Sequence, residues 1–316
     1  KPRIVLDATE LLNDLWQHSF DSHEDLELLF PVLGHLCGSL SDGEVPILLG
    51  FHEEWSEFVT TDHLKSFCAA FGTTGTSPLI HIAGITPEAK EQSGFDSLVH
   101  SCDRACRTVT LVDLRKTFDA LDSSRDNGSE KVDLIALGNP HLSLTECEIL
   151  DELVKREELH ANTRIMACMS RALYSEAEAL GFVPRLKEFG VEFVNDTCWC
   201  MLLDGPIIPP DPNAVIMTNS GKYAHYGPGL TGKTFRFGSL ADCLMAAATG
   251  IYPQRRHRPV STYPSWLSFN DNDRMGCNSQ RRNYSTYHQN TFPSRVFRLR
   301  GQPRAALALL RLAIIR

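Results

Sequence analysis

Polar side chains that could bind a small acid or a metal follow several apolar runs of the sequence. They fall into four clusters, each placed where a predicted strand ends: Thr86 with Glu88; Asn139 with His141 and Ser143; Asp196 with Cys198; and Asn219 with Ser220, Lys222 and His225. Amide, hydroxyl and ammonium groups bind carboxylates, while a thiol is a ligand for iron or zinc. Serine, lysine and histidine can also transfer protons or act as nucleophiles. Together these residue types predict a cleft for a small polar molecule.

Three of the four clusters also have an interpretation in which their side chains carry out no chemistry. Gly138-Asn139-Pro140 is ordinary turn chemistry, and His141 could simply cap the following helix. A cysteine such as Cys198 is more often a small buried hydrophobe than a ligand. The backbone amides of residues 218–221 could bind an anion without help from their side chains. The residue types by themselves therefore leave these alternatives open.

The string GPGLTGKT at 227–234 has the spacing of a phosphate-binding loop. Such a loop has to leave a strand directly and open a helix, so that the helix amides point at the phosphates. Here the preceding predicted strand ends near Met217, ten residues before Gly227, and TFRF after Lys233 is typical of a strand. We therefore interpret the string as a loop beside the Asn219 cluster, and nucleotide binding is a rival that both flanks disfavour.

The elements that must position these clusters alternate between short apolar runs and amphipathic stretches. Strands are predicted at 45–49, 78–83, 108–112, 132–137, 164–169, 191–194, 214–217 and 234–237. Helices follow most of them, and Ser143 with Glu146 forms a predicted capping box. This alternation indicates an α/β fold with mostly parallel sheets, in which ligands bind at the carboxyl ends of strands. The four polar clusters lie at such ends.

Composition restricts the class of protein. The chain has 316 residues, 42% of them hydrophobic, and a net charge of −8, which is typical of a soluble globular protein. The longest apolar run, 305–315, is interrupted by Arg311 and is shorter than the ~20 residues that cross a bilayer, so no membrane span is expected. The amino end lacks the apolar core of a signal peptide. With ten cysteines at no disulfide-scaffold spacing, these features predict reduced thiols and a cytoplasmic location.

The last 66 residues differ from the rest of the chain. Residues 251–316 contain 12 arginines, no lysine and only Asp271 and Asp273 as acids, a balance of +10. A basic arm for nucleic acid or membranes, a disordered extension, and an incorrect gene prediction such as a translated intron are the three interpretations. We expect an irregular Arg-rich tail that is disordered or a gene-model artefact, with no nucleic-acid partner.

Several long motifs together resemble the aconitase X family, the divergent branch of the aconitase superfamily. They are ALGNPHLSLTE at 136–146, NDTC at 195–198, and the segment from MTNSGKYAHY to AAATG at 217–250, with FPVLGHLCGSLSDGEVPILLGF at 30–51 and HIAGITPEA at 81–89 upstream. The resemblance covers about residues 10–250. It implies an aconitase-like three-layer α/β fold in which 1–250 is part of the catalytic domain, and the tail has no place in it.

The family implies an iron-dependent hydro-lyase that dehydrates a small hydroxy acid. Iron acts on the leaving hydroxyl while a base removes a proton from the neighbouring carbon. Cys198 stands where the family supplies a cysteine ligand, whereas Asn139 replaces the cysteine that iron–sulfur relatives have in this turn. An asparagine cannot complete a three-cysteine cluster, which favours mononuclear or reduced iron over a full iron–sulfur cluster. The same departure favours cis-3-hydroxy-L-proline over mevalonate 5-phosphate as substrate.

The resemblance also assigns roles to the remaining cluster residues. Placement and family position together predict three residues for proton transfer or catalysis: Ser220, Lys222 and His225. They predict five that bind the substrate: Thr86, Glu88, His141, Ser143 and Asn219. The metal ligands would be Cys198 and Asn139.

Partners are implied as well. In the family, a preceding amino-terminal segment and a small swivelling domain, separate or fused, complete the active site, and the resemblance places a catalytic serine in the small domain. This chain alone is therefore expected to be incomplete and inactive. The rival hypothesis is a non-catalytic relict that keeps the fold without the metal site.

Overall fold

The computed structural model describes residues 4–18, 23–90, 106–123, 131–155, 157–252 and 264–267. The chain divides into two compact units, Lys1–Leu267 and Ser268–Arg316, and every described residue lies in the first. Most of the predicted tail lies outside the described residues, so its predicted disorder or artefactual origin stays a prediction. In the described part of the chain, no helix combines the length and the apolarity needed to cross a membrane.

The first sheet has four parallel strands in the order β3-β2-β1-β4. The strands are β1 (Ile4–Asp7), β2 (Pro46–Leu49), β3 (His81–Ile82) and β4 (Cys106–Thr108). The helices of this half are α1 (Thr9–His18), α2 (His23–Leu40), α3 (Thr61–Thr74), α4 (Pro87–Lys90) and α5 (Leu111–Leu121), with a 3-10 turn at Glu53–Glu57. The central strand β1 places Val5 opposite Ile47 on one side and Cys106 on the other.

The second sheet has five parallel strands in the order β7-β6-β5-β8-β9. The strands are β5 (Leu134–Leu137), β6 (Arg164–Met169), β7 (Val191–Asn195), β8 (Val215–Thr218) and β9 (Thr234–Phe237). The helices are α6 (Leu144–Val154), α7 (Arg171–Ala179), α8 (Phe182–Phe189), α9 (Gly221–Thr231) and α10 (Leu240–Thr249), with 3-10 turns at Trp199–Met201 and Ser265–Leu267. Strands β6 and β7 follow β5 on one side of the sheet, and β8 and β9 lie on the other side. A topological switch point therefore lies between β5 and β8.

Both faces of the second sheet are buried. On β5, Ile135 and Leu137 belong to one apolar cluster, while Leu134 and Ala136 belong to another on the opposite face. Alternation with apolar residues on both sides is what a parallel sheet between two helical layers requires. The predicted α/β fold with mostly parallel sheets is confirmed.

Local capping signals define several helices as expected. Ser143 and Glu146 form the predicted capping box of α6, and Ser239 caps α10, which ends at Gly250 in the left-handed conformation. In the first half the predicted boundaries were less accurate. Only His81–Ile82 of the predicted strand 78–83 is paired, and the strand predicted at 108–112 ends early because Thr110 forms a capping box that begins α5.

Two short pieces of the segment after Gly250 pack against the fold. Ile251 pairs with Lys131 in an isolated antiparallel bridge, and the ring of Tyr252 lies 4.4 Å below the Arg236 guanidinium. Trp266 and Leu267 are fully buried in the apolar cluster of the first half. These residues therefore contribute to the core of the first compact unit.

Candidate functional site

The candidate site lies at the switch point between β5 and β8, where open α/β sheets form their ligand crevice. Asn139 follows β5 after Gly138, and Asn219 follows β8. Gly138 has φ 83°, and a Cβ there would lie 2.0 Å from the Cys168 carbonyl oxygen. Only glycine fits, so the backbone turns tightly enough to bring Asn139 against the neighbouring loop.

Two thiols flank the carboxamide of Asn139. The Cys198 thiol donates to Asn139 Oδ1 at 3.6 Å, and Asn139 Nδ2 donates to Cys200 Sγ at 3.6 Å. Lys222 Nζ lies 3.9 Å from Cys198 Sγ. We call these four residues the thiol–amide cluster. The structure thus brings together Asn139, Cys198 and Lys222, which the sequence had placed on three separate strand ends.

Cys200 is a member of the cluster that sequence reasoning missed. The signal was present as Cys198-Trp199-Cys200, but the spacing is not that of a zinc C-x-x-C motif. The 3-10 turn lets both thiols reach Asn139, while the indole of Trp199 is buried and donates to the Leu137 carbonyl at 2.6 Å. Trp199 therefore anchors the turn to the end of β5.

Electrostatics differ between the cysteines near the cluster. Burial raises the pKa of the Cys200 thiol, and the Asn139 amide and the Lys222 ammonium act in the opposite direction. Cys168, inside β6, has a pKa raised to about 12 by burial, with a further contribution from Cys198. Cys168 therefore stays a thiol at neutral pH, and at Cys200 burial and the neighbouring Cys198 outweigh Asn139 and Lys222, so its pKa is also raised.

The Ser220 hydroxyl is held between two parts of the site. It donates to the Asn139 carbonyl and accepts from Tyr223 N at 3.0 Å, capping α9. The side chain is buried. These bonds join the end of β5 to the start of α9, and the catalytic role predicted for Ser220 stays a prediction.

His141 and Ser143 lie in the segment that leaves β5. His141 Nε2 donates to the Thr197 carbonyl at 2.9 Å, next to Cys198. The Ser143 hydroxyl caps α6 and donates to Asp62 Oδ2 at 2.9 Å. Both predicted substrate contacts therefore have protein partners in this structure, and their predicted binding role stays a prediction.

Lys65 of α3 connects this segment to the first half of the fold. Its ammonium bonds the His141 carbonyl at 3.0 Å and pairs with Asp62 Oδ1 at 3.0 Å and with Glu146 Oε2. Burial raises the pKa of Glu146, and Lys65 opposes that rise. We call Lys65, Asp62 and Glu146 the Lys65 bridge. It holds α3 against the start of α6, beside the site.

Asn219 is positioned by a residue from the first half. Its Nδ2 donates to Glu27 Oε1 at 3.2 Å, and the same oxygen accepts from Leu240 N at 2.8 Å. Glu27 lies on α2 and gave no sequence signal, because its partners are about 190 and 210 residues away in the chain. Its carboxylate fixes the end of β8 to the start of α10.

His225 pairs with a histidine of the first half. His35 Nε2 and His225 Nδ1 lie 3.0 Å apart. Burial lowers the pKa of both, that of His35 to about 4, with the neighbouring ring contributing for His35. Both imidazoles are therefore neutral at pH 7. No bond recorded among the described residues joins His225 to the thiol–amide cluster.

Thr86 and Glu88 belong to the first sheet. The Thr86 hydroxyl donates to the Ile82 carbonyl at 3.2 Å and accepts from Ile82 N at 3.0 Å, a local turn after β3. Glu88 is exposed on α4. Within the described residues, neither has a recorded bond to the thiol–amide cluster, and their substrate role stays a prediction.

The GPGLTGKT string occupies the wrong end of a helix for phosphate binding. Gly227–Thr231 form the last turns of α9, and Gly232 ends it with φ 67°. The loop predicted here is therefore wrong: the helix continues through Gly227, where an added Cβ would meet the Phe235 ring at 2.1 Å. A helix carboxyl end presents carbonyls and a negative dipole, which repel phosphate. Lys233 Nζ donates instead to the Asp211 carbonyl at 2.6 Å.

The donor set of the thiol–amide cluster limits which metal centre it can hold. It offers two thiols and one amide oxygen. Among the described residues, no group of three or more His, Cys, Asp or Glu side chains is arranged around one point. Such a set fits a single iron ion with open positions and does not fit a cluster held by three or four cysteines.

Two family models match the chain in succession. The model described as aconitase X second domain matches residues 6–119, and the one described as aconitase X third domain matches 132–249. The first range covers the first sheet, and the second covers the second sheet.

Curated relatives divide into two groups by similarity. Cis-3-hydroxy-L-proline dehydratase of Pseudomonas aeruginosa is 39% identical over 77% of this chain and 39% of its own length, and that of Hypocrea jecorina is 40% identical over 71% and 36%. The phosphomevalonate dehydratase large subunit of Methanocaldococcus jannaschii is 26% identical over 69% and 50%. The chain thus spans about two fifths of the first group's length.

A solved structure agrees with the architecture. The holo form of Thermococcus kodakaraensis aconitase X superposes with a TM-score of 0.57 at 23% identity, covering 78% of this chain and 55% of that one. At this identity the likeness concerns the fold. With both family models matched in order, the chain belongs to the aconitase X family and contains its second and third domains.

Proposed function

We propose that this chain is part of a hydro-lyase that removes water from a small hydroxy acid, with cis-3-hydroxy-L-proline as the substrate. The observation that carries the proposal is the 39–40% identity to two cis-3-hydroxy-L-proline dehydratases over more than two thirds of the chain. Phosphomevalonate dehydratase large subunits are 26–29% identical. The difference supports the hydroxyproline over the phosphorylated substrate.

The thiol–amide cluster is the proposed iron site. Cys198, Cys200 and the amide oxygen of Asn139 would hold a single iron ion. Bound iron would supply Lewis acidity to the departing hydroxyl group of the substrate. The protein's own contribution is to fix the three donors, through the glycine turn at Gly138 and the buried indole of Trp199.

The substrate carboxylate would be bound on the other side of the cluster. Lys222 places an ammonium group beside Cys198, and Asn219 places a carboxamide at the end of β8. The ammonium would donate strongly to a carboxylate because it is charged, whereas the carboxamide turns its NH₂ group to Glu27 and would offer Oδ1 to a hydroxyl or ammonium group of the substrate. They would orient the acid so that its hydroxyl group faces the thiols.

The proton-accepting group is proposed to lie outside this chain. The hydroxyl of Ser220 is used in bonds to Asn139 and Tyr223, and His225 is paired with His35. This arrangement supports a model in which this chain binds the acid and a further domain, such as the small swivelling domain, provides the general base and closes the cleft. The isolated chain would then bind the acid without turning it over.

The test is a reconstitution. The chain is assayed for dehydration of cis-3-hydroxy-L-proline and of mevalonate 5-phosphate, alone and with the amino-terminal segment and the small domain of a relative. We expect turnover of the hydroxyproline only in the mixture. Turnover of the phosphorylated acid would move the assignment to the other branch, and robust turnover by the isolated chain would refute the model in which a further domain provides the base.

Iron content is tested separately. Anaerobically reconstituted chain should bind about one iron, and Cys198→Ala should abolish that binding. Cys68→Ala is the matched control, because Cys68 is exposed on α3. If neither the chain nor the reconstituted mixture retains iron, the hypothesis of a non-catalytic relict replaces the proposal of an iron-dependent enzyme.

A further inference from the structure

Glu27 joins two parts of the site from a distant element. It lies on α2, and its Oε1 accepts both from Asn219 Nδ2 at 3.2 Å and from Leu240 N at 2.8 Å. Asn219 follows β8 in the switch-point crevice, and Leu240 is the first residue of α10. One carboxylate oxygen therefore determines both where the Asn219 side chain lies and how it is turned.

The ionisation state of Glu27 decides that orientation. A carboxylate only accepts hydrogen bonds, so it requires Asn219 to turn its NH₂ group toward Glu27. The Oδ1 atom then faces the other way as an acceptor. A protonated carboxyl group can instead donate to Oδ1, which reverses the amide and directs its NH₂ group outward. The two states thus offer the crevice opposite hydrogen-bonding groups.

The surroundings of Glu27 make both states accessible near neutral pH. Among the described residues, the titratable groups that interact with it are acids or thiols: Glu146 on α6, and Asp242 and Cys243 on α10. Lys65 pairs with Glu146. Burial, with the Glu146 and Asp242 charges, raises the pKa of Glu27 to about 7, against the lowering effect of its two hydrogen bonds.

We infer that Glu27 is a positioning residue, whose protonation selects which end of the Asn219 carboxamide faces the substrate. The ionised form presents Oδ1, which suits a hydroxyl or an ammonium group. The protonated form presents the NH₂ group, which suits a carboxylate. The inference rests on the proposed function only in taking Asn219 as a substrate contact.

The orientation is tested on the chain itself, without turnover. The side-chain amide signals of Asn219 are followed by ¹H–¹⁵N NMR between about pH 5.5 and 8.5, with Asn219→Ser to assign them. We expect them to shift with a midpoint near 7 in the wild type and to stop shifting in Glu27→Gln. Glu148→Gln, an exposed change on α6, should leave the titration intact. Signals that do not titrate, or that still titrate in Glu27→Gln, would overturn the inference.

A second measurement guards against misfolding of the variant. If Glu27→Gln does not fold, ¹³C-labelled glutamate in the wild type still reports the carboxyl group directly. One glutamate carboxyl signal should titrate near 7, together with the Asn219 amide. Coincident midpoints support the coupling, and an amide signal that is constant while the carboxyl titrates refutes it.

The kinetic arm uses the reconstituted enzyme with cis-3-hydroxy-L-proline. Glu27→Gln should change KM about tenfold with little change in kcat, and it should remove the ionisation near pH 7 from the KM profile. A purely structural role would leave the shape of that profile unchanged. If the wild type shows no dehydration but the amide titrates as expected, the proposed function fails while the orientation of Asn219 by Glu27 stands.

Discussion

Replacing Lys65 by methionine should weaken the contact between the two sheets at the edge of the site. The ammonium is lost from Asp62, Glu146 and the His141 carbonyl, while the methionine fills the space of the aliphatic stem. The side chains of Lys65 and Asp62 are each 25% exposed and that of Glu146 is 20% exposed. These side chains are less exposed than a surface ion pair, which contributes below ~1 kcal/mol to stability. They are more exposed than a fully buried pair, where removing one partner costs ~3–5 kcal/mol. We expect a loss of ~2 kcal/mol in the free energy of unfolding.

Urea unfolding of the 316-residue chain at pH 7, followed by circular dichroism, measures that loss. Lys155→Met is the matched control, because Lys155 is 45% exposed and pairs with Glu152 and, at 3.9 Å, with Asp151, whose carboxylate keeps its two bonds from Arg185. Its expected effect is below ~0.5 kcal/mol. In a double-mutant cycle, Glu146→Gln should recover about half of the Lys65→Met loss, since the uncompensated carboxylate is then gone.

The pH dependence provides an independent check on the mechanism. Burial already raises the pKa of Glu146, and removing Lys65 should raise it further. The folded variant then takes up a proton more readily than the unfolded chain, so the Lys65→Met loss should shrink as the pH falls toward the unfolded glutamate value. A loss below ~0.5 kcal/mol at pH 7, or one that grows on acidification, would refute the reasoning.

Three further changes probe other contacts. Gly138→Ala should destabilise the chain by more than ~3 kcal/mol, because the added Cβ meets the Cys168 carbonyl at 2.0 Å; a melting temperature unchanged from wild type contradicts this. Asp122→Asn should cost ~3 kcal/mol in urea unfolding, since it removes the negative charge that pairs with the buried Arg236 guanidinium at 3.3 Å. A neutral outcome would mean that this charge pair is dispensable. The free energy of unfolding of the wild type should fall by ~1–3 kcal/mol as the pH rises from about 4.5 to 7, because folding favours protonated Glu27. Glu27→Gln should reduce this dependence on pH, and an equal dependence in both proteins argues against the raised pKa of Glu27.

Local sequence signals predicted the second sheet well. The strands at Arg164–Met169 and Thr234–Phe237 and the capping box of Ser143 were predicted with their observed bounds, since each depends on neighbours along the chain. The same local reasoning failed for GPGLTGKT, where three glycines suggested a loop. The segment is helical through Thr231, and Gly227 lies so close to Phe235 that an added Cβ would meet its ring at 2.1 Å, a contact that no short pattern reveals.

The site was only partly predictable for the same reason. Asn139, Cys198 and Lys222 could be grouped because carboxyl ends of parallel strands share one sheet edge. Glu27 and Lys65 could not, because they lie inside helices of the other sheet and reach the site through contacts between distant parts of the chain. Sequence periodicity reports which face of a helix is buried, but not which partner it meets.

Several bonds at the site run between the two halves of the fold, from Glu27 to Asn219, from Lys65 to the His141 carbonyl and from His35 to His225. Occupancy of the crevice and docking of the halves are then linked equilibria. A ligand that strengthens the contact between Asn219 and Glu27 must stabilise the packing of α2 by the same free energy. Conversely, a change that separates the two halves must lower the affinity for the ligand by that amount. The free energy that holds the two halves together therefore reports ligand binding in this chain.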